Sequence, residues 1–175
     1  MRVVEHRRHS RRDPVDIHLS PEGVELARRV APTLGHFDRV VTSPKPRAVE
    51  TAKALGFSLD AILPDLGMMP DDAGLPVDEL NLRSFADYVR AAERSEAMAE
   101  YALRQATLMR EQLERLPEGG RLLMVSHGGV IEFAAAASRP QDAVSFGPPA
   151  GHLEGIRLFL EGGAWVRGEV LRVRK

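Results

Sequence analysis

The chain opens on a short apolar step, Val3-Val4, that switches abruptly into Glu5-His6-Arg7-Arg8-His9-Ser10. That pattern is the one expected of a strand delivering its last residues to a sheet edge. Ser20-Pro21 then offers an N-cap followed by a first helical residue, and Val24, Ala27, Val30, Ala31 and Leu34 recur at helical spacing as far as Gly35. The β-branched run Val40-Val41-Thr42 predicts a second strand, broken by Ser43-Pro44-Lys45-Pro46-Arg47. A second helix is expected over Ala48 to Leu55. From Phe57 to Leu80 periodicity gives way to proline, glycine and aspartate, as in a lid-like insertion. Arg83 to Leu116 is long and helix-forming, with a break expected near Ser95. Leu122-Leu123-Met124-Val125 is apolar without alternation, the mark of a strand buried on both faces. It stops at Ser126-His127-Gly128-Gly129, and a helix follows over Val130 to Ala137. After a loop over Pro140 to Gly151, the tail (Leu153 to Leu160, Gly162-Gly163, Trp165 to Val173) predicts two strands and a tight turn.

Strands alternating with helices predict an α/β fold: a three-layer sandwich, mainly parallel, with helices on both faces. At 175 residues one domain is expected over 1–175, with the lid at about 57–80. Composition narrows the function. The formal net charge is -1, so the arginine knot is local and general nucleic-acid binding is not expected. There is no cysteine, which removes disulfides, thiolate catalysis and Cys-ligated zinc. No apolar run reaches membrane-spanning length and no signal-peptide core opens the chain, so a cytoplasmic protein without membrane partners is expected.

Three of the expected strands end in a turn that carries cationic or imidazole groups: Arg8 with His9, Arg47, and His127. If those strands are parallel neighbours, the turns share one sheet edge, where open α/β sheets bind ligands. Helix N-termini start at the same turns and favour an anion. Gly128 and Gly129 leave the backbone open to approach. The expected guest is phosphate-like. Taken alone, the arginine knot would be a solvated basic patch. His6, His18 and His36 are expected at the surface or in capping roles, and His152, after a Pro/Gly loop, is a lesser candidate for the site.

Four pieces occurring in order, Arg8-His9-Ser10, His18-Leu19-Ser20-Pro21-Glu22-Gly23, Thr42 to Ala52, and Val125-Ser126-His127-Gly128-Gly129, resemble the histidine phosphatase superfamily, which contains the cofactor-dependent phosphoglycerate mutases. The resemblance spans residues 3 to about 131. It implies His9 as the nucleophile that takes the phosphoryl group onto its ring, with Arg8, Arg47 and His127 as phosphate ligands and Ser10 adding a hydroxyl nearby. No metal or other cofactor is implied. A loose phosphoryl-transfer transition state needs alignment and positive charge, which two arginines and a histidine supply.

The sequence departs from the family pattern in four places. Ser10 stands where glycine is usual. Glu5 and Arg7 occupy strand positions that are commonly apolar and, two residues apart on one face, are placed to pair. The asparagine found after the nucleophile in mutases has no counterpart. The glutamate that the resemblance implies as proton donor is missing from Leu66-Gly67-Met68, and the nearby acids are Asp71, Asp72 and Glu79, of which Asp72 is favoured as the donor. The activity expected is metal-independent phosphomonoester hydrolysis through a phosphohistidine, on a phosphorylated small molecule or a phosphoprotein. The alternatives are a protein phosphohistidine phosphatase, a phosphoglycerate mutase and an inactive phosphate-binding module.

Overall fold

Six strands form one sheet: β1 (Arg2–Arg8), β2 (Arg39–Thr42), β3 (Ala61–Ile62), β4 (Arg121–Ser126), β5 (Gly155–Glu161) and β6 (Ala164–Leu171), in the order β3-β2-β4-β1-β5-β6. The computed structural model describes residues 1–173; residues 174 and 175, the end of the expected domain, lie outside the described residues. Among the described residues six α-helices accompany the sheet: α1 (Pro21–Val30), α2 (Pro46–Ala54), α3 (Phe85–Arg94), α4 (Glu96–Glu114), α5 (Val130–Ser138) and α6 (Ala143–Phe146).

The unbroken apolar run in β4 explains the layering. Leu122 to Val125 are all fully buried, and alternate residues enter different cores. Leu122 and Met124 pack with Met109 and Leu113 of α4 and with Val130 and Ile131 of α5. Leu123 and Val125 pack with Ala48 and Ala52 of α2. A sheet covered on both faces needs apolar residues at successive positions, and each large side chain so buried contributes about 1.5–3 kcal/mol. Serine caps set the helix starts. Ser20 accepts from Gly23 N (3.1 Å), and Ser95, at the expected break between α3 and α4, accepts from Met98 N (3.3 Å).

Register positions the site. β4 pairs in parallel with β1, Arg8 opposite Ser126, and with β2, Thr42 opposite Val125. The C-terminal ends of all three strands therefore lie at one level on one edge. β5 runs antiparallel to β1 with Gly155 opposite Arg7, so the segment entering β5 passes the same edge and brings His152 with it.

Two segments carry more structure than their sequence pattern suggests. Within 57–80, Ala61–Ile62 adds a short parallel edge strand to β2, and 3₁₀ turns follow at Pro64–Gly67, Asp71–Ala73 and Asp78–Leu80. The loop after Pro140 contains a 3₁₀ turn and α6. Glu5 and Arg7 do pair: Arg7 Nε and Nη2 reach one Glu5 oxygen at 2.9 and 2.8 Å. Arg157 Nη2 (2.8 Å) and Arg121 Nη2 (3.3 Å) reach the other. His6, expected near the surface, is fully buried, and its Nε2 meets Ser126 Oγ at 2.6 Å.

Candidate active site

β1, β2 and β4 deliver their turns to a cleft of about 660 Å³. Arg8 is the last residue of β1 and His9 follows it. Arg47 lies in the first turn of α2, which Pro46 opens, and His127 sits between β4 and α5. All four line the cleft, together with Arg12 and His152. Met69, Pro70, Val77, Leu82 and Tyr88 also line it.

Donor chemistry fixes the state of His9. Its Nδ1 lies 2.6 Å from the Ser10 carbonyl oxygen, which can only accept, so Nδ1 carries the hydrogen. Arg47 Nε, which can only donate, lies 3.1 Å from His9 Nε2, so Nε2 presents its lone pair. Burial pulls the His9 pKa down to about 3, opposed by the Ser10 bond and reinforced by Arg47 and Arg8. The ring is neutral at neutral pH.

His127, 5.2 Å from His9 between ring centroids, is held at about 2, first by burial and then by His9, Arg47 and Lys45. Its Nε2 meets Ser43 Oγ at 2.7 Å, and its buried Nδ1 has no partner among the described residues. His152, 5.9 Å from His9, is also shifted down, by burial and then by Arg8. Burial, followed by Arg12 and Arg8, lowers the pKa of Arg47. Cations thus crowd a cleft whose three imidazoles are neutral. A phosphate dianion entering it relieves the repulsion and favours protonation of the histidines.

Two expected roles do not match the geometry. The Ser10 hydroxyl donates to the Gly23 carbonyl (2.6 Å) and its N–H donates to Thr51 Oγ1 (2.9 Å), so Ser10 is spent on packing the chain toward α1 and α2. It is not among the cleft residues. Asp72 is exposed, accepts from Met69 N (3.1 Å) and lies 4.0 Å from Lys45. The neighbouring Asp71 lines the cleft instead, and Glu79 does not. Glu132, which the sequence reading passed over, is fully buried at the cleft. Its signal was a lone carboxylate in the apolar run Val130-Ile131-Glu132-Phe133-Ala134. Among the described residues no group of three or more His, Cys, Asp or Glu is arranged to hold a metal, and no helix is long and apolar enough to cross a membrane.

A second cavity of about 730 Å³ lies elsewhere, lined by Arg7, Arg157 and Arg172 among others. Those three arginines are paired with Glu5, Glu169 and Glu154, and no histidine is among the described residues that line it.

Solved structures share this arrangement of strands and helices. Phosphoserine phosphatase from Entamoeba histolytica, solved with 3-phosphoglyceric acid, superposes with a TM-score of 0.74 at 19% identity, covering 99% of this chain and 98% of that one. A mycobacterial glucosyl-3-phosphoglycerate phosphatase, solved with VO3, gives 0.67 at 20% identity and 98% coverage of both chains. Phosphoglycerate mutase from Bacillus anthracis gives 0.64 at 16% identity, with 94% and 90% covered. At these identities the likeness is one of fold. No curated protein sequence matches the chain. The family model of the histidine phosphatase superfamily (branch 1) matches residues 4–146, a span that holds Arg8, His9, Arg47 and His127, and the chain belongs to that superfamily.

Proposed function

We propose that the protein is a metal-independent phosphomonoester hydrolase working through a phosphohistidine at His9. The observation that carries this is the ring's fixed tautomer: Nδ1–H is tied to Ser10 and the Nε2 lone pair lies among the cleft arginines. Nε2 attacks phosphorus, a P–N bond forms, and the bond to the ester oxygen breaks. Positive charge developing on the imidazole is spread toward the Ser10 carbonyl. Negative charge on the equatorial oxygens falls to Arg8, Arg47 and His127. Water then attacks phosphorus, the P–N bond breaks, and inorganic phosphate leaves with His9 restored. In the first step the departing alkoxide takes the proton of the Asp71 carboxyl, exposed on the cleft, and in the second step the carboxylate so formed takes the proton that the attacking water loses.

Hydrolysis is favoured over mutase chemistry because the lid contributes Met69, Pro70, Asp71 and Val77 to the cleft and no cation, which makes it a poor seat for a second phosphate that would have to be held during transfer. The substrate is a phosphorylated small molecule or a phosphoprotein. Phosphohistidine itself is a second reading, favoured by one observation: Glu132, the buried carboxylate of the cleft, has both oxygens engaged by backbone N–H groups. A leaving imidazole nitrogen asks less of an acid than an alkoxide does. The test is a quench during turnover of 4-nitrophenyl phosphate. The protein should carry an acid-labile, base-stable phosphoryl group that is absent from His9→Ala. Near-native turnover by His9→Ala would sink the proposal.

A further inference from the structure

Glu132 is the third residue of α5, and it is fully buried. One oxygen accepts from Gly129 N at 2.6 Å. This is the glutamate half of a capping box, and glycine has no side chain to return the other half. A helix cap needs one bond and tolerates an exposed carboxylate. The second oxygen does something else: it accepts from Ala150 N at 2.8 Å, eighteen residues along the chain in the segment leading to β5.

These two anchor points flank Arg8. The Ala150 carbonyl accepts from Arg8 Nη1 at 3.0 Å. On the other side the guanidinium lies against Gly128, where an added Cβ would stand 3.3 Å from Cζ and 3.4 Å from Nε. Gly129, at φ +85°, takes a backbone turn that side chains resist. Arg8 Nε is buried and has no partner among the described residues. Burial pushes the Glu132 pKa up, against the bonds from Ala150 and Gly129 and the charge of Arg8. The fold thus keeps a carboxylate where desolvation opposes it, at the point where it ties together the two walls around Arg8.

We propose that Glu132 is a positioning residue for the phosphate site, bracing the Gly128-Gly129 turn and the Ala150 backbone so that Arg8 presents its guanidinium to the bound phosphoryl group in one orientation. Glu132 makes no bond to the substrate and acts only through Arg8. A displaced brace lets the fork swing and loses alignment, and small misplacements of this kind cost about a hundredfold in rate. The inference rests on reading the cleft as a phosphate site.

The experiment is a double-mutant cycle with Arg8→Lys, Glu132→Gln and the pair, reading kcat/KM for 4-nitrophenyl phosphate and the inhibition constant of inorganic phosphate, with thermal unfolding as the control for folding. Glu132→Gln should raise the phosphate inhibition constant and lower kcat/KM, each by about tenfold or more. In the Arg8→Lys background the same change should add little, because the fork it orients is already gone. Effects that multiply across the pair, or a folded Glu132→Gln with native phosphate affinity, overturn the proposal. If Glu132→Gln fails to fold, Glu132→Asp decides: it keeps the charge but is one methylene too short to reach both amides, and native phosphate affinity in it overturns the proposal equally. A wild-type protein that neither binds phosphate nor turns over any phosphoester removes the phosphate-site reading, and this inference with it. Binding with an additive cycle removes this inference alone.

Discussion

Two buried carboxylates treat the same problem in opposite ways. Glu5, 1% exposed, meets three guanidiniums, from Arg7, Arg121 and Arg157. Burial alone would raise its pKa, but the charges and bonds of Arg7 and Arg157 outweigh it and hold the group below its ordinary value. Glu132, equally buried, has two backbone N–H groups for partners and is shifted up. The difference lies in where the arginines point. Toward Glu5 they are neutralised, whereas Arg8, beyond it on β1, and Arg47 turn to a cleft of neutral histidines. The strand thus passes from a closed ionic cluster to an open cationic site within four residues, Glu5 to His9. Compensated charge lies within the fold, and uncompensated charge lines the cleft.

Glu5→Gln tests the closed side and should show the largest effect. It leaves Arg7 buried without its counter-ion, and breaking a buried pair in this way costs about 3–5 kcal/mol of stability. Denaturant unfolding should report the loss, while kcat per folded molecule changes far less. Because the Glu5 pKa is lowered from 4.5, wild-type protein should also lose stability as pH falls below that value and through the folded-state pKa, and Glu5→Gln should not show that part of the acid dependence. A variant as stable as wild type would end the contrast between the two clusters.

Arg47→Ala tests the open side. Removing a charge-assisted donor from the transition state should cost about 2.7–4 kcal/mol in kcat/KM with little loss of stability. It should also move the pH profile in a stated direction. Arg47 helps depress the His9 pKa, so its removal raises that pKa, and protonation of His9 then begins at higher pH. The acid limb of kcat/KM should shift upward. An unmoved limb would disconnect the arginine from His9.

The smallest effects sort the lid acids. Asp71→Ala should slow glycerol phosphate more than 4-nitrophenyl phosphate, because the alkoxide is the poorer leaving group. Asp72→Ala, exposed and outside the cleft, should stay within about 0.5 kcal/mol on either substrate. The reverse ranking would restore Asp72 as the proton donor.

The division between what could and could not be read from the sequence has a physical basis. Strand-to-helix junctions announce themselves, because an apolar run ending in arginine or histidine followed by proline or glycine is a local signal; Arg8, His9, Arg47 and His127 were placed that way, and β4 read as doubly buried from four consecutive apolar residues. Orientation is not local. Ser10 turns inward because Gly23 and Thr51 wait there, and whether Asp71 or Asp72 faces the cleft depends on one 3₁₀ turn. His152 reaches the site only because β5 runs antiparallel to β1. Ala61–Ile62 is too short to show any period. Glu132 was missed because helix pattern assigns a lone carboxylate to the solvent face, and only tertiary packing shows it sealed in.

The sheet order also sets a schedule for synthesis. β1 is the earliest strand in the sequence, yet its neighbours are β4 and β5, more than a hundred residues downstream. A nascent chain carries His9 long before the partners of that strand exist, and its arginines have neither a sheet edge to share nor the Ala150 carbonyl to bond. The cleft closes only once the segment entering β5 has emerged, so a half-made chain has His9 without the cleft.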